Sequence, residues 1–149
     1  MTAHAGTVLP ELVIEVTPTF VISTAIATRD FQDVHHDRDK AVERGSQDIF
    51  LNILTTTGLV QRYVTDWAGP RVLVRHIAIR LGVPCYAGDT LTFSGKVTTV
   101  GHDALAADEQ PAGGRPGDER SGGEYVVRVV GRCRLGDHVT GTVRLQGAG

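Results

Sequence analysis

The sequence predicts an α+β domain in which an antiparallel sheet wraps one long helix. Three observations lead there. Between Asp48 and Trp67, apolar residues fall at helical spacing (Ile49, Ile53, Val60, Val64, Trp67). From Val72 onward the period drops to two, with clean alternation in Thr90–Val97, Tyr125–Cys133 and Val139–Leu145. One buried helix followed by a run of strands, rather than alternating helices and strands, makes a layered α+β arrangement. At 149 residues the chain is expected to be a single domain, 1–149, long enough to bury a real core.

Taken in order, the residues up to about Pro10 read as a loose terminus, and Leu12–Val16 alternates as a short strand. Thr17 can cap a helix with Pro18 in its first turn, which favours helix from Pro18 to Ala27. The β-branched run Phe20-Val21-Ile22-Ser23-Thr24 suits a strand as well. Asp39–Arg44 supports a turn or two of helix, and Gly45 a left-handed stop. Asp48 is placed to cap the long helix. Phe50, Leu54 and Tyr63 widen its apolar stripe until it should be buried around much of its circumference, and Gly69-Pro70 ends it.

Val72–Pro84 is a long apolar, β-branched strand run. In the strands that follow, Leu91, Phe93 and Val97 oppose Thr90, Thr92, Ser94 and Lys96, while Tyr125, Val127, Val129 and Cys133 oppose Arg128, Arg132 and Arg134. Val139, Val143 and Leu145 alternate with Thr140, Thr142 and Arg144, after a turn at Gly136-Asp137. Residues 101–123 shift to Gly, Pro, Ala, Asp and Glu; such a segment lacks the apolar content to pack and is expected to be a flexible surface loop between two paired strands.

Fifteen basic and seventeen acidic residues give a net charge of -2 with no basic stripe, which disfavours nucleic acid as a partner. No apolar run approaches the roughly eighteen residues of a membrane-spanning helix. The first residues lack the basic start and apolar core of a signal peptide, so a soluble cytoplasmic chain is expected. Cys85 and Cys133 lie in strand-like sequence and are expected to be buried thiols rather than a disulfide.

The stretch Asp30-Phe31-Gln32-Asp33-Val34-His35-His36-Asp37 carries the chemistry. A carboxylate and an imidazole on one ordered loop can hold a water between them and move its proton near neutral pH. That equips the chain to add or remove water. The plainer reading makes Asp30 a cap and His35 a satisfied polar group on a turn. His36 is either a supporting group or solvent-exposed. A metal site from His35, His36 and Asp37 is disfavoured, because adjacent side chains diverge. Asp33 and Asp39 read as loop and helix-start charges. Arg128, Arg132 and Arg134 suit a solvated sheet face more than a phosphate site. Thr55-Thr56-Thr57 either bond back to helix carbonyls or face a pocket, and Trp67 is a core or interface aromatic.

Asp30-Phe31-Gln32-Asp33-Val34-His35 resembles the D-F-N-P-[IVL]-H signature of the MaoC-like hydratases, which have the hotdog fold. Pro84-Cys85-Tyr86-Ala87-Gly88-Asp89-Thr90-Leu91 is similar to their P-x-x-x-G-D-x-L element. Within that family, Ala27–Ala41, Asp48-Ile49-Phe50 and Tyr63–Pro70 resemble the small subunits of actinobacterial steroid side-chain enoyl-CoA hydratases. The resemblance implies syn hydration of a 2-enoyl-CoA, a pregnadiene-carboxyl-CoA of cholesterol catabolism, with Asp30 and His35 as the catalytic pair. It also implies that the Asn52 backbone N–H holds the thioester oxygen and that His36 contributes to substrate binding. No cofactor is implied beyond the CoA of the substrate, and no metal. The implied partner is a second MaoC-like chain with an extra domain, in a heterodimer or heterotetramer, through which a thiolase-like aldolase docks. Two departures stand out: Gln32-Asp33 replaces Asn-Pro, and Leu51-Asn52 replaces the family's His-Gly. A homodimeric (R)-specific fatty enoyl-CoA hydratase, a non-catalytic scaffold subunit and a thioesterase are the alternatives.

Overall fold

The computed structural model describes residues 3–101 and 123–147; the expected 101–123 loop lies almost wholly outside them. Five strands, β1 (Val8–Val16), β2 (Val72–Leu81), β3 (Asp89–Val100), β4 (Glu124–Cys133) and β5 (Gly136–Gly147), form one antiparallel sheet in the order β1-β3-β4-β5-β2. Helices α1 (Pro18–Ala27), α2 (Arg38–Glu43) and α3 (Ile53–Ala68) lie between β1 and β2 in the chain, with a short 3-10 turn at Asp33–His35. This is the α+β layering expected.

The inward alternation holds. Leu91, Phe93, Val97, Val127, Val143 and Leu145 are fully buried, and α3 packs Leu59, Val60, Tyr63 and Val64 against them. Burying each such side chain stabilises the fold by about 1.5–3 kcal/mol. Tyr63 stacks on Phe93 with ring centroids 5.7 Å apart. Burial first, then nearby Glu11, pushes the Tyr63 hydroxyl up to about 12, so it stays protonated. Arg128 is exposed, and the exposed Arg132 and Arg134 pair with Asp137 and Asp89 at 2.8 and 3.0 Å, the solvated face the alternation implied.

Two element starts differ clearly from the expectation. The first strand begins at Val8 rather than after Pro10. Its register against β3 slips between Leu9 and Leu12, so Pro10 sits at a bulge on an edge strand, where a missing N–H is tolerated. The central helix starts at Ile53, not Asp48. Residues 49–51 are drawn out by pairing with the loop before β3: Leu51 N donates to Cys85 O at 3.0 Å, Ala87 N to Ile49 O at 2.9 Å, and Phe50 bridges Tyr86. Long-range pairing therefore overrides a locally helical pattern, and Cys85 falls in a loop rather than a strand. The helix also buries one face only, leaving Ile53 and Leu54 about half exposed. Cys85 and Cys133 are buried free thiols, as expected.

Candidate functional site

Helix α1 begins as read from sequence, with Thr17 Oγ1 accepting from Phe20 N at 3.1 Å. It ends in a Schellman motif: Asp30 N donates to Ala25 O at 2.9 Å and Arg29 N to Ile26 O at 3.0 Å. The left-handed position of that motif is filled by Arg29 (φ 57°) instead of glycine. The motif swings the chain so that Asp30 is the first residue beyond the helix on the site side. Five residues on, the 3-10 turn, closed by His35 N to Gln32 O at 3.0 Å, returns His35 to it.

The two side chains meet. His35 Nε2 lies 3.4 Å from Asp30 Oδ2, and the side chains are 8% and 16% exposed. His35 Nδ1 is 2.8 Å from the carbonyl oxygen of Phe50, an acceptor only, so Nδ1 carries the hydrogen in the neutral ring. Nε2 then presents a lone pair towards a carboxylate. Two acceptors at this separation are satisfied by a donor that reaches both, such as one water. The ring is also held edge-on against Phe50, centroids 4.9 Å apart.

Asn52 stands immediately before α3, two residues after Phe50. It is the helix cap, its Oδ1 accepting from Thr55 N at 2.7 Å, and its Nδ2 donates to Thr28 Oγ1 at 2.8 Å. One buried side chain thus ties the start of α3 to the end of α1, two residues before Asp30. Among the described residues, no hydrogen bond uses the backbone N–H of Asn52, Ile53 or Leu54. These amides lie where the helix dipole is positive, which suits developing negative charge.

His36 is not brought to the pair; it is on the exposed side, its Nε2 3.9 Å from Asp33 Oδ1. Asp33 also takes Lys40 and Arg44 at 3.5 and 3.0 Å, and Asp37 caps α2 through Lys40 N at 3.1 Å, so these acids are structural. Of the three threonines, Thr57 bonds back to Ile53 O at 2.8 Å, Thr55 Oγ1 is buried without a partner among the described residues, and Thr56 Oγ1 lies 2.9 Å from His138 Nε2. His138 was not singled out in the sequence. It is the extra residue of a bulge where β5 slips against β4 between Gly131 and Arg132, which turns it inward beside Val139. Phe31, Ile26, Ile53 and Leu54 are exposed apolar side chains on the same segments as the pair.

A scan against protein-family models gave no match. The chain is 61% identical over 140 residues to the 3-oxo-4,17-pregnadiene-20-carboxyl-CoA hydratase beta subunit of Mycobacterium tuberculosis, covering 94% of this chain and 93% of that one. It superposes on a chain of the ChsH1–ChsH2 complex from Mycobacterium tuberculosis with a TM-score of 0.79 and 58% identity, over 99% of each chain. The (R)-hydratase from A. caviae involved in PHA biosynthesis shares the fold at 15% identity, with a TM-score of 0.77 over 97% of this chain and 96% of that one. The MaoC-like dehydratase from Rhodospirillum rubrum does so at 15% identity and 0.72, over 98% and 93%. With the signature acid and histidine in contact and this identity across nearly the whole of both chains, the protein belongs to the MaoC-like hotdog hydratases, in the group of that beta subunit.

Proposed function

We propose that this chain is the catalytic subunit of a hydratase that adds water to the side-chain double bond of a steroid enoyl-CoA, 3-oxo-4,17-pregnadiene-20-carboxyl-CoA. The observation that carries the chemistry is the 3.4 Å contact between His35 Nε2 and Asp30 Oδ2, on segments tied to the start of α3 through the Thr28–Asn52 bond and Phe50 O. A water held by both groups attacks the β-carbon and loses a proton to the pair. The electrons of the double bond pass to the thioester oxygen, and the pair returns a proton to the α-carbon from the same face, giving syn addition. Asp30 and His35 act as a unit on the one water. The Asn52 N–H receives the enolate-like oxygen; such a donor is worth roughly 3 kcal/mol of transition-state stabilisation. Acid, base and amide suffice, with no cofactor beyond the CoA of the substrate. The relative's 61% identity supports the steroid substrate.

The same comparison supports a heteromer. A similar chain comes from a ChsH1–ChsH2 complex, and the apolar side chains Phe31, Ile53 and Leu54 are 67%, 51% and 52% exposed in the single chain. A second subunit would cover them and supply the rest of the acyl pocket. The test is to co-purify this chain with its second subunit and measure hydration of a steroid enoyl-CoA and of crotonyl-CoA, wild type against Asp30→Asn and His35→Ala. Loss of turnover in both variants with the complex intact is expected. Near-normal turnover in either would remove the catalytic assignment. Equal activity of the chain alone on crotonyl-CoA would favour a homodimeric fatty enoyl-CoA hydratase.

A further inference from the structure

Away from the Asp30–His35 pair, two thiols and a carboxylate converge where β3 begins and β4 ends. Cys85 lies in the loop before β3, Asp89 is the first residue of β3 and Cys133 the last of β4, and all three are buried. Their ligating atoms all lie within 4.8 Å of one another. The Pro84 carbonyl oxygen adds a fourth donor 3.6 Å from Cys133 Sγ. We propose that Cys85 Sγ, Cys133 Sγ, an Asp89 carboxylate oxygen and Pro84 O form a binding site for a thiophilic divalent ion of the zinc class.

The geometry fits the ion. A tetrahedron with metal–sulfur bonds of about 2.3 Å and metal–oxygen bonds of about 2.1 Å has S···O edges of about 3.6 Å and an S···S edge of about 3.8 Å. The S···O separation of 3.6 Å, a Cys133 S–H to Pro84 O hydrogen bond in the free protein, equals that edge, and the two sulfurs and an Asp89 oxygen lie within 4.8 Å of one another. Charge fits as well. Binding displaces both thiol protons, leaving two thiolates and the Asp89 carboxylate. The ion and the Arg134 guanidinium, whose Nε is 3.0 Å from Asp89 Oδ1, balance those three charges. The resemblance implies no metal anywhere in the chain; this site goes against that expectation, on a convergence of side chains that only the fold creates.

An ion here would clamp the loop that holds the active segment. Leu51 N bonds Cys85 O at 3.0 Å, Ala87 N bonds Ile49 O at 2.9 Å, and between them Phe50 O anchors His35. The site itself does not rest on the hydratase reading. The test is a titration of the chelator-treated full-length chain with Co²⁺. Thiolate-to-cobalt charge-transfer absorption and tetrahedral d–d bands should grow to one ion per chain, be displaced by Zn²⁺ and not by Mg²⁺, and vanish in Cys133→Ala and Cys85→Ala. A wild-type chain showing no thiolate charge transfer overturns the proposal whatever the variants do. So does a band that survives both substitutions. Zn²⁺ should also raise the thermal midpoint of wild type and leave that of Cys133→Ala unchanged; equal shifts in the two would count against the site.

Discussion

His35 Nδ1 lies 2.8 Å from the carbonyl oxygen of Phe50, while Nε2 of the same ring faces Asp30 at 3.4 Å. One nitrogen holds the fold and the other is left for chemistry, so the two roles separate by isostere. His35→Asn keeps an amide nitrogen near the Nδ1 position, and His35→Gln keeps a polar atom near Nε2. Neither supplies a base. Both should slow hydration by about 10²–10⁴-fold. His35→Gln should also lose about 1–3 kcal/mol of stability, because Phe50 O is left unpaired. Urea unfolding beside the hydration assay checks this, and a His35→Gln chain as stable as wild type would refute the anchoring bond.

Arg29 occupies the left-handed position of the α1 terminus with φ 57°. Non-glycine residues pay about 1–2 kcal/mol there, partly offset in a glycine variant by unfolded-chain entropy of about 0.5–1 kcal/mol. Arg29→Gly should therefore leave the fold equally or up to about 1 kcal/mol more stable, and Arg29→Val should destabilise it. A denaturation midpoint that falls with glycine and holds with valine would mean the strain is not where φ places it.

Thr28 and Asn52 share a hydrogen bond of 2.8 Å between the end of α1 and the cap of α3. Thr28→Val should cost about 1–3 kcal/mol by stranding the Asn52 amide, and Asn52→Ala about 1 kcal/mol through loss of the cap. Since both remove one bond, the double variant should cost less than the sum. Thr55→Val provides a contrast. Its hydroxyl has no partner among the described residues, so stability should hold within about 0.5 kcal/mol. Measured additivity at Thr28 and Asn52 would deny the coupling.

How far the sequence could be read follows from where local preference and long-range pairing agree. The strand faces were legible because alternation and burial coincide at Leu91, Phe93, Val127 and Leu145. The Thr17 cap and the glycine stops at Gly45 and Gly69 were legible because capping is local. That the acid and the histidine share one loop was legible from the signature they resemble; by spacing alone a cap and a satisfied turn histidine read equally well, and their contact needed the fold. The start of α3 was misplaced because Ile49, Phe50 and Leu51 keep a helical rhythm and yet pair with residues 85–87, a contact that propensity does not encode. Asn52 was singled out for its backbone alone; that its side chain caps α3 and reaches Thr28 needed the fold. His138 was missed for a related reason: a bulge breaks the alternation, and an odd residue that strand periodicity assigns to solvent becomes buried.

His138 also makes the pH dependence of stability predictable. It is 2% exposed, with Nδ1 donating to Val83 O at 2.8 Å and Nε2 2.9 Å from Thr56 Oγ1. Burial lowers its pKa below the ordinary 6.5, against a smaller opposing contribution from the Val83 carbonyl. Below about 6.5 the unfolded chain takes up a proton at this position that the folded chain refuses, so the unfolded state binds more protons and stability falls as the pH falls. The stabilising margin is complete above about 6.5 and shrinks as the pH drops towards the folded-state value. His138→Gln removes the titrating group from both states, so its stability should fall less steeply than that of wild type between about pH 6.5 and pH 5. Urea unfolding of the two chains across that range checks it, since other titrating groups cancel in the difference. Parallel curves would show that the folded protein accepts the proton at His138 as readily as the unfolded chain does.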